Sequence, residues 1–207
     1  MKTINWILFF LLTSTYAFSQ ENNALEILQN LEQQQENFKN ISLEFEFITQ
    51  SEYINEKQKG KLILEGHKSI LEFNQQLSVC NGKTKWIYLK NMNEIQIIKY
   101  DPNEDVINMN TIFSIYRQGD KYNYINKEKS KNGNYHVIDV IMNKNMPFKK
   151  VRLEIIEMNQ QIQTLYFYHK NETIYIYNIT TFKTDIETPD FDLDTDKYPE
   201  AEIIDLR

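Results

Sequence analysis

The chain of 207 residues has one cysteine, five glycines, four prolines, two tryptophans and three histidines. A lone cysteine, Cys80, excludes an intramolecular disulfide, so stability must come from a packed core. No basic residue is clearly placed to lower its pKa, and it reads as a small buried apolar side chain. The shortage of glycine leaves little material for a phosphate cradle. There is no Gly-x-Ser-x-Gly elbow, phosphate loop or dinucleotide fingerprint. His67, His136 and His169 lie in separate segments without a His-x-His or His-Glu-x-x-His pattern, so neither a metal site nor a cofactor is expected. No nucleophile and base are advertised, and the expectation is a protein that binds without catalysing. Basic stripes are also missing from a chain of net charge −6, which argues against nucleic acid as a partner. Asp192-x-Asp194-x-Asp196 has carboxylates at alternate positions, but the sixth position of the loop is Lys197 and the twelfth is Ile203. Both depart from a calcium-binding loop, and an acidic solvated segment is expected instead.

What the sequence does have is aromatic side chains, 13 Tyr and 12 Phe, which favours strands over disorder. It opens on Lys2, the apolar run Trp6 to Leu12, and small residues three apart at Ala17 and Ser19. That pattern predicts a cleaved secretory signal peptide over residues 1–19, followed by one domain over 20–207. The run is too short to span a bilayer, and no later one is longer.

From Asn22 or Asn23, either able to cap, residues Ala24, Ile27, Leu28, Leu31 and Phe38 follow helical spacing and predict a long amphipathic helix. Ile41, Leu43, Phe45 and Phe47 then alternate with polar residues as a strand, and Ser51 to Lys59 reads as a charged loop. From Gly60 to Ile98 apolar residues recur at period two, broken by turn signals at Glu65-Gly66, Asn74-Gln75-Gln76, Asn81-Gly82 and Asn91-Met92-Asn93. Met109, Ile112, Phe113, Ile115 and Tyr116 predict a second, short helix ending at Gly119. Five more strands are expected between Lys121 and Phe182. The total is about eleven strands, nearly all joinable as antiparallel hairpins. A curved, mainly β sheet with helices on its concave side is the economical arrangement.

Several stretches in this order resemble the periplasmic outer-membrane lipoprotein carrier family, the LolA-like proteins. They are Ala24 to Leu28, Gly60 to Leu64, Asn81 to Tyr88, Ile112 to Tyr116 and the tail from Phe191 to Arg207. The resemblance implies an unclosed antiparallel β-barrel of about eleven strands, covered by helices that act as a lid over an apolar interior. It implies a monomeric periplasmic carrier that takes acylated lipoproteins released by an inner-membrane transporter complex and passes them to the outer membrane, with or without a dedicated acceptor there. The chain departs from the family after Gly66, where Ser69 to Glu72 offers only Lys68 nearby, so no lid-locking arginine carries over.

On this reading Phe45, Phe47, Leu62, Leu64, Leu71, Phe73, Trp86 and Tyr88 line the lipid cavity, and Leu25, Ile27, Leu28, Leu31, Ile112, Phe113 and Tyr116 form the lid. Ile63, Ile70, Ile87 and Leu89 have the opposite parity. The alternatives are a periplasmic lipid or lipoprotein sensor that regulates a partner, on the same fold, and a lipid-handling enzyme.

Overall fold

The computed structural model describes residues 21–101, 112–130 and 133–207. The leader expected at 1–19 and Met109 of the expected second helix lie outside the described residues. Residues 21–36 form helix α1. Twelve strands follow: β1 (Ile41–Gln50), β2 (Asn55–Glu65), β3 (Lys68–Phe73), β4 (Gln76–Cys80), β5 (Thr84–Leu89), β6 (Glu94–Lys99), β7 (Gly119–Ser130), β8 (Gly133–Met142), β9 (Phe148–Ile156), β10 (Gln161–His169), β11 (Ile174–Thr184) and β12 (Glu202–Asp205). The architecture is mainly β.

The chain divides into two compact units. One contains α1 and the strands in the order β10-β9-β8-β7. The other contains β12-β6-β5-β4-β3-β2-β1 with nearly all of β11 beside β1. In neither does the strand order close on itself, so the antiparallel sheet is unclosed.

In the first unit, α1 buries Ala24, Ile27, Leu28 and Leu31, one stripe at helical spacing, while Leu25 is half-buried. Asn22 and Asn23 lie inside the helix and do not cap it, and the helix stops at residue 36, before Phe38. The strands carry the tightest packing. Register aligns Val140 with Val151 and Phe167, and Ile138 with Leu153 and Leu165, and all six are 0 or 1% exposed. The other face of these strands holds Asp139, 6% exposed, opposite Arg152. Arg152 donates from Nε to Asp139 Oδ1 at 2.6 Å and from Nη2 to Oδ2 at 3.0 Å, and Lys150 donates to Oδ2 at 2.8 Å. Burial pushes the Asp139 carboxyl up, but the bonds from Arg152 and Lys150 outweigh it and hold the group below its ordinary range.

In the second unit, Ser51 to Ile54 is a turn and β2 begins at Asn55, where a charged loop had been expected up to Lys59. Residues 55–59 carry no apolar alternation to mark them. They are strand because the ladder to β1 continues, pairing Gln50 with Asn55 and Glu46 with Lys59, and Lys57 bridges to Glu46 at 2.7 Å. Asn74 and Gln75, at φ 47° and 62°, make the two-residue connection between β3 and β4, a backbone state that Asn favours. The expected second helix is a 3-10 helix over Ile112–Gln118, and β7 starts at Gly119. The twelfth strand, β12, was not foreseen. It pairs with β6 in parallel, whereas the other strand pairs with a described register are antiparallel.

Gly60 sits between Phe45 on β1 and Phe73 on β3. A Cβ at this position would collide with the Phe45 ring, so the bare backbone of Gly60 is what lets that ring lie across β2. Gly60→Val should therefore lower stability by about 2 kcal/mol through overpacking, read as a lower urea midpoint with unchanged slope. An unshifted midpoint would mean that the ring moves aside freely. For Asp139, a depressed pKa stabilises the fold above the unfolded value near ~3.9, and that contribution fades as pH falls below it. Asp139→Asn should cost about 3 kcal/mol at pH 7 and show a shallower loss of stability than the parent as the pH falls below about 4. Parallel acid limbs in the two proteins would exclude this coupling.

Candidate functional site

Register decides which expected site residues share a face. From β1 to β3 it aligns Phe45 with Gly60 and Phe73, Leu43 with Leu62 and Leu71, and Ile41 with Leu64 and Ser69. Phe45, Phe47, Leu62, Leu64, Leu71 and Phe73 therefore lie on one face. Through β4 the same face continues at Ser78 and Gln76, and it reaches β5 at Ile87 and Leu89. Trp86 and Tyr88 are aligned instead with Val79 and Leu77, on the opposite face with Ile63 and Ile70. The sequence-based grouping of Trp86 and Tyr88 with Leu62 and Phe73 is corrected by the intervening hairpins. Each of these short turns passes a face from even to odd residue numbers and back, and the six-residue count from Phe73 to Val79 puts Trp86 on the far side.

The centre of the first face is aromatic. Phe47 lies 5.4 Å from Phe73, edge to face, and 4.8 Å from Tyr177, and it stacks on Tyr175 at 5.9 Å. Phe45 lies 5.9 Å from Phe73 and 5.8 Å from Tyr177. These separations are those of favourable ring pairs. Phe45 is buried, whereas Phe47, Phe73, Tyr175 and Tyr177 are only half-buried. Burial pushes the Tyr177 phenol well up, so it stays neutral at any physiological pH. Tyr175 and Tyr177 were not singled out from sequence. Ile174-Tyr175-Ile176-Tyr177 is apolar at both parities, so period two gives no face there.

On the side of Trp86 and Tyr88, Tyr88 has its own cover. The segment between β11 and β12 crosses their side of the sheet, bringing Tyr198 to 4.3 Å from Tyr88 and burying Phe191 beneath Lys68, whose Nζ is 5.5 Å from the ring centroid. Asn81 donates to Asp192 at 2.6 Å. Asn93 ties the crossing to the sheet: it accepts from the Tyr88 hydroxyl at 3.1 Å, donates to the Glu200 carbonyl at 2.7 Å, and its carbonyl accepts from Glu202 N–H at 2.9 Å. Over β1 to β3 runs a groove of about 600 Å³ lined by the charged Glu44, Glu46, Lys59, Lys61, Glu72 and Lys90 and also by Phe45, Gly60 and Phe73 of the aromatic set. Charged and aromatic residues thus share its walls.

Of the expected lid residues, Ile27, Leu28 and Leu31 are buried on α1 and Tyr116 is buried in the 3-10 helix. Ile112 and Phe113 belong to that helix by backbone, and their side chains lie outside the described part. Asp192, Asp194 and Asp196 do not converge: Asp192 accepts from Asn81 and Asp194 caps the backbone of Asp196 at 3.2 Å. Among the described residues, no three His, Cys, Asp or Glu side chains are grouped to hold a metal. Cys80 is buried, and burial raises its thiol pKa against the weaker opposing effects of the Gly82 N–H and Lys85.

No family model and no curated protein matches the chain. Solved structures do. A conserved protein from Thermus thermophilus is 13% identical, covers 88% of this chain and 99% of its own, and superposes with a TM-score of 0.55. LprF from Mycobacterium bovis is 9% identical over 83% of this chain and 98% of its own, at 0.51. A LolA superfamily protein from Nitrosomonas europaea also matches, 13% identical over 83% and 98%, at 0.42. The likeness is one of fold.

Tyr198→Ala should expose Tyr88 and its surroundings. The expected result is a red-shifted tryptophan emission and a loss of about 1 kcal/mol, with the aromatic face of Phe47 and Phe73 undisturbed in methyl and ring NMR spectra. Unchanged emission and stability would show that the crossing segment does not pack here.

Proposed function

We propose that this chain is a periplasmic carrier of acyl chains, which binds the lipid moiety of acylated lipoproteins and moves it from the inner to the outer membrane without covalent chemistry. The observation that carries the reading is the half-buried cluster of Phe47, Phe73, Tyr175 and Tyr177, set beside the aliphatic rows of Leu62, Leu64 and Leu71 on one sheet face. Apolar surface left partly open in a folded chain is free to bury against a ligand.

Magnitudes favour an open face over a closed pocket. An acyl chain of about sixteen carbons gains on the order of 10 kcal/mol on full burial, at about 0.8 per methylene. A carrier that captured all of this would release its cargo too slowly. A face that covers one side of the chain retains a fraction and permits handover. In this reading the upstream partner is an inner-membrane complex that releases lipoproteins, the downstream partner is an outer-membrane acceptor, and the protein works as a monomer.

Native mass spectrometry of the protein purified from its own periplasm should find triacylated lipoprotein bound, and depletion should leave lipoproteins in the inner membrane. Phe47→Glu and Leu71→Glu should cut uptake of a fluorescent fatty acid by at least about tenfold with the fold retained, while Trp86→Gln, on the opposite face, should not. A ligand-free protein with normal lipoprotein sorting would sink the proposal.

A further inference from the structure

A second cavity, of about 350 Å³, lies wholly within the first unit. Its floor is one cross-strand row, Ile141 on β8, Lys150 on β9 and Tyr168 on β10. Lys149, His169, Glu172, Thr173 and Ile174 complete its lining. The volume is at the lower end of what small-molecule sites use, roughly 300 Å³ upwards.

The charges here are unevenly matched. Asp139 is shared by Arg152, which takes both its oxygens, and Lys150, which takes one of them as a second donor. The trio therefore carries one surplus positive charge, and it sits at the cavity wall with Lys150 Nζ 4.3 Å from the Tyr168 ring centroid. Lys149 pairs with Glu172, whose side chain is 82% exposed and stands on the short turn after β10. The neighbouring turns add Lys144 and Lys170, the latter donating to the Lys144 carbonyl at 2.6 Å. A cationic end on a chain of net charge −6 is a local concentration of positive potential. Beside it, Ile141 is 36% exposed and lies in the same row as Lys150.

We propose that this cavity holds the oxyanion head of an amphiphile, a phosphate ester or a carboxylate, with Lys150 and Lys149 on the head and Ile141, Tyr168 and Ile174 against the first carbons of the tail. Lys150 is free to turn to the ligand because Arg152 alone satisfies both Asp139 oxygens. Glu172 is the built-in competitor: it swings into solvent when the head takes its place on Lys149. This site is separate from the aromatic face and does not depend on the carrier reading.

The test titrates the mature chain with decyl phosphate below its micellar concentration, with inorganic phosphate and with decyl glucoside, following the methyl resonances of Ile141 and Ile174. Decyl phosphate should shift both methyls saturably, and the other two should bind at least about tenfold more weakly. Lys150→Gln should weaken decyl phosphate by about tenfold at an unchanged melting temperature, since Asp139 keeps Arg152, and Glu172→Gln should tighten it. Absence of binding, unchanged affinity in Lys150→Gln, or equal affinity for inorganic phosphate would each overturn the proposal. So would loss of the Ile141 and Ile174 shifts in Phe47→Glu with retention in Lys150→Gln, because the ligand would then be on the aromatic face. If instead the cavity binds while Phe47→Glu has no effect on fatty acid uptake, the carrier reading fails and this one stands.

Discussion

The faces of β1 to β6 in the second unit depend on how each short turn transmits the face of one strand to the next. Side chains alternate sides with period two, so each hairpin of fixed length determines which residues of the following strand join the set. The connection at Asn74 and Gln75 passes the face of Phe73 to Gln76 and Ser78, both polar. The apolar face is thus interrupted at β4 and reappears at Ile87 and Leu89. A shift of one residue at that turn would exchange the two faces of β4 and β5, placing Trp86 and Tyr88 beside Leu71 and Phe73. Gly60 is the second element of this constraint, because the Phe45 ring occupies the space where a side chain on β2 would stand.

The two units use their apolar residues differently. In the first, Val140, Val151, Ile138, Leu153 and Leu165 are fully enclosed, the condition of a permanent core. In the second, Leu43, Phe45 and Leu62 are enclosed, while Phe47, Leu64, Leu71 and Phe73 on the same face keep part of their surface open. Removing such partly open surface from water is favourable for whatever covers it, and reversal costs only the area covered. That would be the physical basis for the proposed exchange of an apolar ligand without unfolding.

Charge is placed with equal discrimination. Glu44, Lys61 and Glu72 form one cross-strand row and Glu46 and Lys59 another, opposite-sign neighbours that keep one side of β1 to β3 wet. Further along that side, on β5, Tyr88 is covered by the segment leading to β12. Among its described residues the second unit therefore has a charged part, a part where Tyr88 meets the crossing segment, and an aromatic face where several half-buried rings adjoin one another.

The sequence by itself determined the class of fold: alternation and turn residues marked nearly every antiparallel strand, and helical spacing picked out Ala24, Ile27, Leu28 and Leu31. It also marked Phe45 and Phe47 on a strand with polar residues at the other parity, whereas Ile63 and Ile70 opposite Leu62, Leu64, Leu71 and Phe73 left the choice of face in β2 and β3 to the register. It could not reveal β2 before Gly60, where Glu56 to Lys59 form strand only through pairing with β1. Nor could it reveal β12, whose four residues are held by a parallel neighbour more than a hundred residues away in sequence. Tertiary structure decided that Trp86 and Tyr88 leave the set and that Tyr175 and Tyr177 enter it. The first follows from accumulated register across two turns, and the second from a strand apolar on both sides, for which only the neighbour it pairs with defines a face.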